Sequence, residues 1–284
     1  MIKHHPRPSD EKRAKKKFGQ NFLKDERILR KIIESMPADD LKVVEIGPGL
    51  GDLTRFLVEN KDVTAYEVDK DLCEHLRQRF KTPIENGRLK LVCGDVLSHW
   101  EAGSLADGPY RLVANLPYYI ATNIILRALK DRHCRSLLVM VQKEVAEKFA
   151  AEPGEKAFSA LSVLAQTAGD VCRCFDVPPE AFVPAPKVVS SILRIEKRAS
   201  PDDIGFETFL KTAFTQPRKT LAKNLSARFD RRAVMEALTG LGLSPSVRPH
   251  EVATSLYHRL YKQLKGDVDG REETPGEQQL SKQQ

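Results

Sequence analysis

The feature that most limits what this chain can fold into is an alternation. Short apolar runs at 42–46 (KVVEI), 63–68 (VTAYEV), 89–93 (LKLVC), 111–115 (RLVAN) and 137–141 (LLVMV) are mostly separated by stretches of helical length. Strands that alternate with helices join side by side in a parallel sheet covered on both faces, so an α/β fold is expected. Further strands are expected at 171–177 and 189–196. Ahead of the first strand, Asp25 is placed to cap a helix with apolar positions Ile28, Leu29, Ile32, Ile33 and Met36, stopped by Pro37.

Near Ala199 the pattern changes. Phe206, Phe209, Leu210, Ala213 and Phe214 follow one helical face, and further helices are expected from Pro217, around 231–239 and over 251–264. Four segments result: a basic, flexible segment over 1–17, an α/β domain over 18–198, a small all-helical domain over 199–265, and a polar, disordered tail over 266–284. No apolar run approaches the roughly 18 residues needed to span a membrane, and no apolar stretch follows the basic N-terminus as in a secretory signal. A cytoplasmic, monomeric protein without membrane partners is expected. On that reading the cysteines at 73, 93, 134, 172 and 174 are reduced thiols, and the alternation of Cys172 with Cys174 is incidental, with no metal site.

Charge is uneven. Residues 1–17 carry seven Lys/Arg against two acids, residues 200–265 eleven against six, and residues 266–284 two against five. Basic excess in two separate segments fits a polyanionic partner. The candidate phosphate contacts are Lys15, Lys16 and Lys17 at one end and Arg218, Lys219 and Lys223 at the other.

The first strand runs straight into EIGPGLGDLT, residues 45–54. Gly47, Gly49 and Gly51 allow a sharp turn and close approach of a ligand to backbone, with a helix expected from about Asp52. A dinucleotide fingerprint needs a third glycine where Asp52 stands, and an acid there disfavours a pyrophosphate. It suits S-adenosylmethionine, whose sulfonium is positive. Glu67, some twenty residues on, is placed to accept from ribose hydroxyls, and Asp95 in VCGDVL from an adenine amine, with Val96 beside it assigned to the same site. Asp69 reads instead as a helix cap.

A second turn, NLPYYIAT, follows the strand at 111–115. Pro117 keeps Leu116 extended, so the Asn115 side-chain oxygen and the Leu116 carbonyl are two acceptors for the two hydrogens of an exocyclic amine. Gripping both turns the amine's lone pair toward an electrophilic methyl group. Tyr118 offers a face for the base, while Tyr119 reads as packing rather than rim.

With both turns in view, the chain resembles the ribosomal RNA adenine N6,N6-dimethyltransferases, the KsgA family. The matching stretches are KKKFGQNFL (15–23), EIGPGLGDLT, EVD (67–69), GD (94–95), NLPY (115–118), QKEVAEKF (142–149), FVPAPKVVSS (182–191) and PRKTLAKNL (217–225). The resemblance implies a Rossmann-like methyltransferase sheet with a helical C-terminal domain. It also implies dimethylation of two adjacent adenosines in the 3′-terminal hairpin loop of 16S rRNA. By the family's pattern Asn21, Leu23, Gly47, Glu67, Asp95 and Asn115 contact the cofactor, Asn115, Leu116, Pro117 and Tyr118 form the catalytic turn, and Phe182 covers the other face of the adenine. Prolines around Phe182 argue against its burial in regular structure. Two departures are Val189, where the family commonly carries Asp, and Gln216–Pro217, where a second Arg commonly precedes Arg218. Competing readings are an Erm-type enzyme acting on 23S rRNA and a non-catalytic RNA-binding assembly factor.

Overall fold

The computed structural model describes residues 20–100 and 103–269. It divides into two compact units, one comprising the chain up to Ala150 with Leu164–Asp202, the other Ala151–Val163 with the chain from Asp203 onward. The domain expected over 18–198 is thus interrupted, because 151–163 groups with the helical unit. Long-range contacts fix that excursion: Gly154 N–H donates to the His250 carbonyl at 2.7 Å, and the Phe158 ring lies against Phe214.

The strands of the first unit are β1 (Phe22–Leu23), β2 (Lys42–Ile46), β3 (Val63–Glu67), β4 (Leu89–Cys93), β5 (Tyr110–Asn115), β6 (Cys134–Gln142), β7 (Gly169–Val177), β8 (Phe182–Val183) and β9 (Ser190–Lys197). Seven of them form one sheet in the order β4-β3-β2-β5-β6-β9-β7. The five from β4 to β6 are parallel, as the alternation requires, whereas β9 runs antiparallel to both β6 and β7. Only residues 178–189 join β7 to β9, with no crossover helix, and such a link returns the chain antiparallel. β1 and β8 make a separate two-stranded ribbon.

Helices α1 (Glu26–Glu34), α2 (Thr54–Asn60), α3 (Lys70–Arg79), α4 (Lys81–Glu85), α5 (Val96–Trp100), α6 (Ala121–Lys130), α7 (Lys143–Ala150) and α8 (Ala160–Ala168) lie between strands. Asp25 caps α1 by accepting from Arg27 N–H at 2.9 Å and Ile28 N–H at 3.4 Å. Leu29 and Ile32 of α1, with Phe56 and Leu57 of α2, join Val43, Val63, Val113 and Met140 of the sheet in one core. α6 buries Ile124, Ile125 and Ala128 and packs on β6.

The expectation of reduced thiols throughout fails at one pair. Cys73 in α3 and Cys93 at the end of β4 form a disulfide, their Cα atoms 6.1 Å apart. α3 packs on β4, which brings together two residues that the sequence holds twenty positions apart.

In the second unit are α9 (Ile204–Ala213), α10 (Leu221–Leu225), α11 (Arg231–Gly240) and α12 (Thr254–Asp269). The helix expected from Pro217 begins four residues later: 217–219 turn, and Thr220 caps α10 by accepting from Lys223 N–H at 3.3 Å. Likewise Pro249–Glu251 is a separate 3-10 turn ahead of α12, which runs on to Asp269, past the boundary expected at 266. The basic segment 1–17, and the tail from 270, lie outside the described residues. Among the described residues no helix is long and apolar enough to cross a membrane, and no group of three or more His, Cys, Asp or Glu is placed to hold a metal ion.

Candidate active site

β4, β3, β2 and β5 are neighbours, so the residues at and just past their carboxyl ends stand in a row: Asp95 after β4, Glu67 ending β3, Gly47 after β2 and Asn115 ending β5. At ~4.8 Å per strand the row spans about 14 Å. Between β2 and β5 the strand order reverses direction, and open α/β sheets bind ligands at such a switch point. A continuous cavity follows the row, lined also by Asn21, Leu23, Gly49, Val96, Leu116, Pro117, Tyr118 and Tyr119.

The glycine turn needs its glycines for different reasons. Gly47 has φ 68°, and a Cβ there would reach within 4.0 Å of the Asn115 carbonyl and Pro117, so the two functional turns abut. Gly49 has φ 60°, and its N–H donates to Glu67 Oε2 at 3.1 Å. Gly51, expected at the ligand, is instead behind the cavity wall. With φ 82° it lies where a Cβ would overlap the Phe80 ring, so its requirement is packing. The helix expected from Asp52 starts at Thr54, and Asp52 stands in the turn before it, paired with Lys24 at 2.7 Å.

Burial pushes the Glu67 carboxyl above its ordinary range, although it accepts from the Asp69 and Gly49 amides. Asp69 caps α3, as its position suggests, by accepting from Asp71 N–H at 3.0 Å. Asp95 lines the cavity, its Oδ1 accepting from Leu97 N–H at 2.9 Å, and Val96 beside it is buried. One acid on this wall has no signal in the sequence. Glu45 is 1% exposed and accepts from the Thr54 hydroxyl at 2.7 Å. Burial, reinforced by the charges of Glu67 and Asp52, pushes its pKa up to about 8. Only the strand–turn register, which points Glu45 inward, could have revealed it.

At the second turn, Asn115 Nδ2 donates to the Asn21 carbonyl at 3.1 Å, so Oδ1 is the end that remains for a ligand. Asn21 thus acts on Asn115 as well as lining the cavity. Leu116 is buried, its N–H donating to Met140 O at 3.1 Å. Ile120 N–H closes the turn onto Pro117 O at 3.2 Å, with Tyr118 and Tyr119 at its centre. The half-buried Tyr118 hydroxyl meets Ser190 Oγ at 2.7 Å, a partner the sequence did not single out, and burial raises its pKa. Tyr119, read as packing, is 64% exposed on the rim.

Phe182 requires a correction. It is 3% exposed, paired in register with Leu23 through β8 and β1, and belongs to the core with Leu29 and Ile32. Because its ring is not on the cavity wall, this structure gives it a structural place rather than a face against a base. The flanking prolines leave β8 room to pair for only two residues, and those two suffice to bury it. In the other unit, Arg218, Lys219 and Lys223 are exposed; buried Asn224, unnoticed in the sequence, fastens the preceding turn by donating to Ala213 O at 2.7 Å and Gln216 O at 3.1 Å. Lys15, Lys16 and Lys17 lie outside the described residues.

The row of acceptors suits S-adenosylmethionine: carboxylates Glu67 and Asp95 at one end for a nucleoside, and a positive-φ glycine turn at Gly47 and Gly49 that lets a ligand approach the backbone. Fold and site together define an S-adenosylmethionine-dependent methyltransferase of Rossmann-like architecture. The family model for ribosomal RNA adenine dimethylase matches residues 11–265, and the chain belongs to that family. Relatives named ribosomal RNA small subunit methyltransferase A include those of Sulfurimonas denitrificans, 54% identical over 92% of this chain and 97% of its own, and Campylobacter jejuni, 44% identical over 92% and 98%. Among solved structures, the 23S rRNA methyltransferase ErmE is 28% identical with TM-score 0.69, covering 86% of this chain and 100% of its own. A dimethyladenosine transferase from Plasmodium falciparum, 22% identical with TM-score 0.73 over 87% of this chain and 98% of its own, shares the fold.

Proposed function

We propose that this chain dimethylates N6 of two adjacent adenosines in the 3′-terminal hairpin loop of 16S rRNA, acting as a cytoplasmic monomer on the small ribosomal subunit or its precursor. The observation that carries the reading is the abutment of the Gly47 turn and the Asn115–Tyr118 turn across the switch point, which supports neighbouring sites for cofactor and acceptor. Relatives at 44–54% identity over about nine-tenths of the chain carry small-subunit names, which favours this reading over an Erm-type one.

Asn21, Leu23, Gly47, Gly49, Glu67, Asp95 and Val96 would hold S-adenosylmethionine, which supplies an electrophilic methyl group when bound. Asn115 Oδ1 and the Leu116 carbonyl accept from the two N–H bonds of the adenine amine. Its lone pair, otherwise conjugated into the ring, is thereby aimed toward the cofactor site. Tyr118 stacks on the base, its hydroxyl anchored by Ser190. A proton leaves N6 only after attack, so no strong base is required at the turn. The base must first be extruded from its loop, where single-stranded nucleotides open most readily. Arg218, Lys219 and Lys223, with Lys15, Lys16 and Lys17, are assigned to phosphates.

The test is transfer from labelled S-adenosylmethionine to small subunits lacking the two dimethyladenosines, with large subunits in parallel. Label confined to small subunits is the expected result. Label in large subunits would replace the reading with an Erm-type one, and cofactor binding without label would leave a non-catalytic RNA-binding factor.

A further inference from the structure

We infer that Tyr119 is a second stacking platform, outside the base pocket, for the nucleobase that flanks the target adenine. The inference rests on the proposed function and assigns an occupant to the outer part of the same site. The turn closed by Ile120 N–H onto Pro117 O places Tyr118 and Tyr119 at adjacent central positions with opposite fates. Tyr118 is half buried, its hydroxyl bound to Ser190, while Tyr119 lines the cavity mouth with most of its surface in solvent. Val68, Val188 and Val189 are three of the other exposed large hydrophobic residues. Val68 lines the cavity, and the two valines immediately precede Ser190. Tyr119 is the exposed aromatic ring of the cavity lining, apolar surface left in water beside the base pocket.

The occupant follows from what the reaction does to the RNA. Extruding one base breaks its stack with the neighbour, which is left with an uncovered π-face next to the mouth. An exposed aromatic ring covers such a face, far better for the two fused rings of a purine than for the single ring of uracil, and loses nothing of its own packing by doing so. With two adjacent adenosines as targets, the one not in the pocket occupies Tyr119 while the other reacts. Tyr119 therefore contributes to RNA affinity in the reacting geometry and leaves cofactor binding alone.

The experiment compares wild type, Tyr119→Ala and Tyr119→Phe on small subunits reconstituted with 16S rRNA carrying either adenine or the poorly stacking uracil beside a single target adenosine. For Tyr119→Ala the expected result is a rise of about ten-fold in KM for the adenine-flanked subunit, with cofactor affinity as in wild type, and Tyr119→Phe restores most of the loss. On the uracil-flanked subunit the difference between wild type and Tyr119→Ala should largely vanish. Equal KM for wild type and Tyr119→Ala on the adenine-flanked subunit overturns the inference, as does an effect of equal size on both subunits. If Tyr118→Ala loses one to two orders of magnitude in kcat/KM in the same assay, the proposed function survives that failure. Absence of transfer by the wild type to any small subunit overturns both.

Discussion

Asn115 concentrates the chemistry in one amide. Its Nδ2 is held by Asn21 O, so truncation removes an acceptor already oriented, and Asn115→Ala should lower kcat by about 100-fold or more while RNA binding persists. Transfer within a few-fold of wild type would remove the orienting role. Tyr118→Phe gives up only the Ser190 bond and should stay within a few-fold of wild type; Tyr118→Ala gives up stacking worth ~1–3 kcal/mol and should lose one to two orders of magnitude in kcat/KM. Equal activities would end the stacking argument. Glu45 supplies a pH signature. Folded, it keeps its proton up to about pH 8, whereas an ordinary Glu loses it near 4.5. Over that window the folded state binds more protons, so this group makes stability fall as pH rises from about 4.5 to 8, by a few kcal/mol at most. Glu45→Gln, able to keep the Thr54 bond, should lose less stability than wild type between pH 5 and pH 8 in denaturant titrations; parallel losses would contradict the shift. The candidate ligand residues that line the cavity were legible because chemistry restricts their type. Glu45 and Ser190 were not, since a buried acid and a buried hydroxyl in strands look like any strand residue until the register is known.

Elements show where pattern suffices and where it does not. The parallel strands were legible to within a few residues, because burial on both faces makes nearly continuous apolar runs. The antiparallel return of β9 was not, for strand direction leaves no mark on periodicity, nor was the ribbon of β1 with β8, whose two-residue strands are too short to show any. That ribbon decides the role of Phe182. As a core residue, Phe182→Ala should destabilise by roughly 3–5 kcal/mol, whereas Phe182→Leu should keep transfer near wild type once folding is verified. A fully folded Phe182→Leu protein that fails to transfer would return the ring to the base. The Cys73–Cys93 bond was invisible for the same reason as Glu45, because only the packing of α3 on β4 joins the two positions.

For the whole molecule, the division into a sheet unit and a helical unit was legible from the change of periodicity, but the loan of 151–163 to the helical unit was not. Its anchors, Gly154 and Phe158, meet residues more than fifty positions away. The residues assigned to the cofactor lie in the sheet unit, while the exposed cations Arg218, Lys219 and Lys223, assigned to phosphates, lie in the other, so the two proposed functions should separate by mutation. Replacing all three by Gln should weaken RNA binding, reduce the slope of log K against log salt by up to about three, and leave cofactor affinity unaltered. An unchanged salt slope would leave these cations as ordinary solvated surface. The central claim, that one amide and one aromatic ring at the switch point orient adjacent adenosines of 16S rRNA for methylation by S-adenosylmethionine, is tested most directly by mapping dimethyladenosine in cells that lack their own enzyme. Expression of this chain should restore N6,N6-dimethyladenosine at both adjacent positions of the 3′-terminal hairpin, and Asn115→Ala at neither. Restoration by Asn115→Ala, or its absence with the wild-type chain folded and bound to cofactor, would contradict the account.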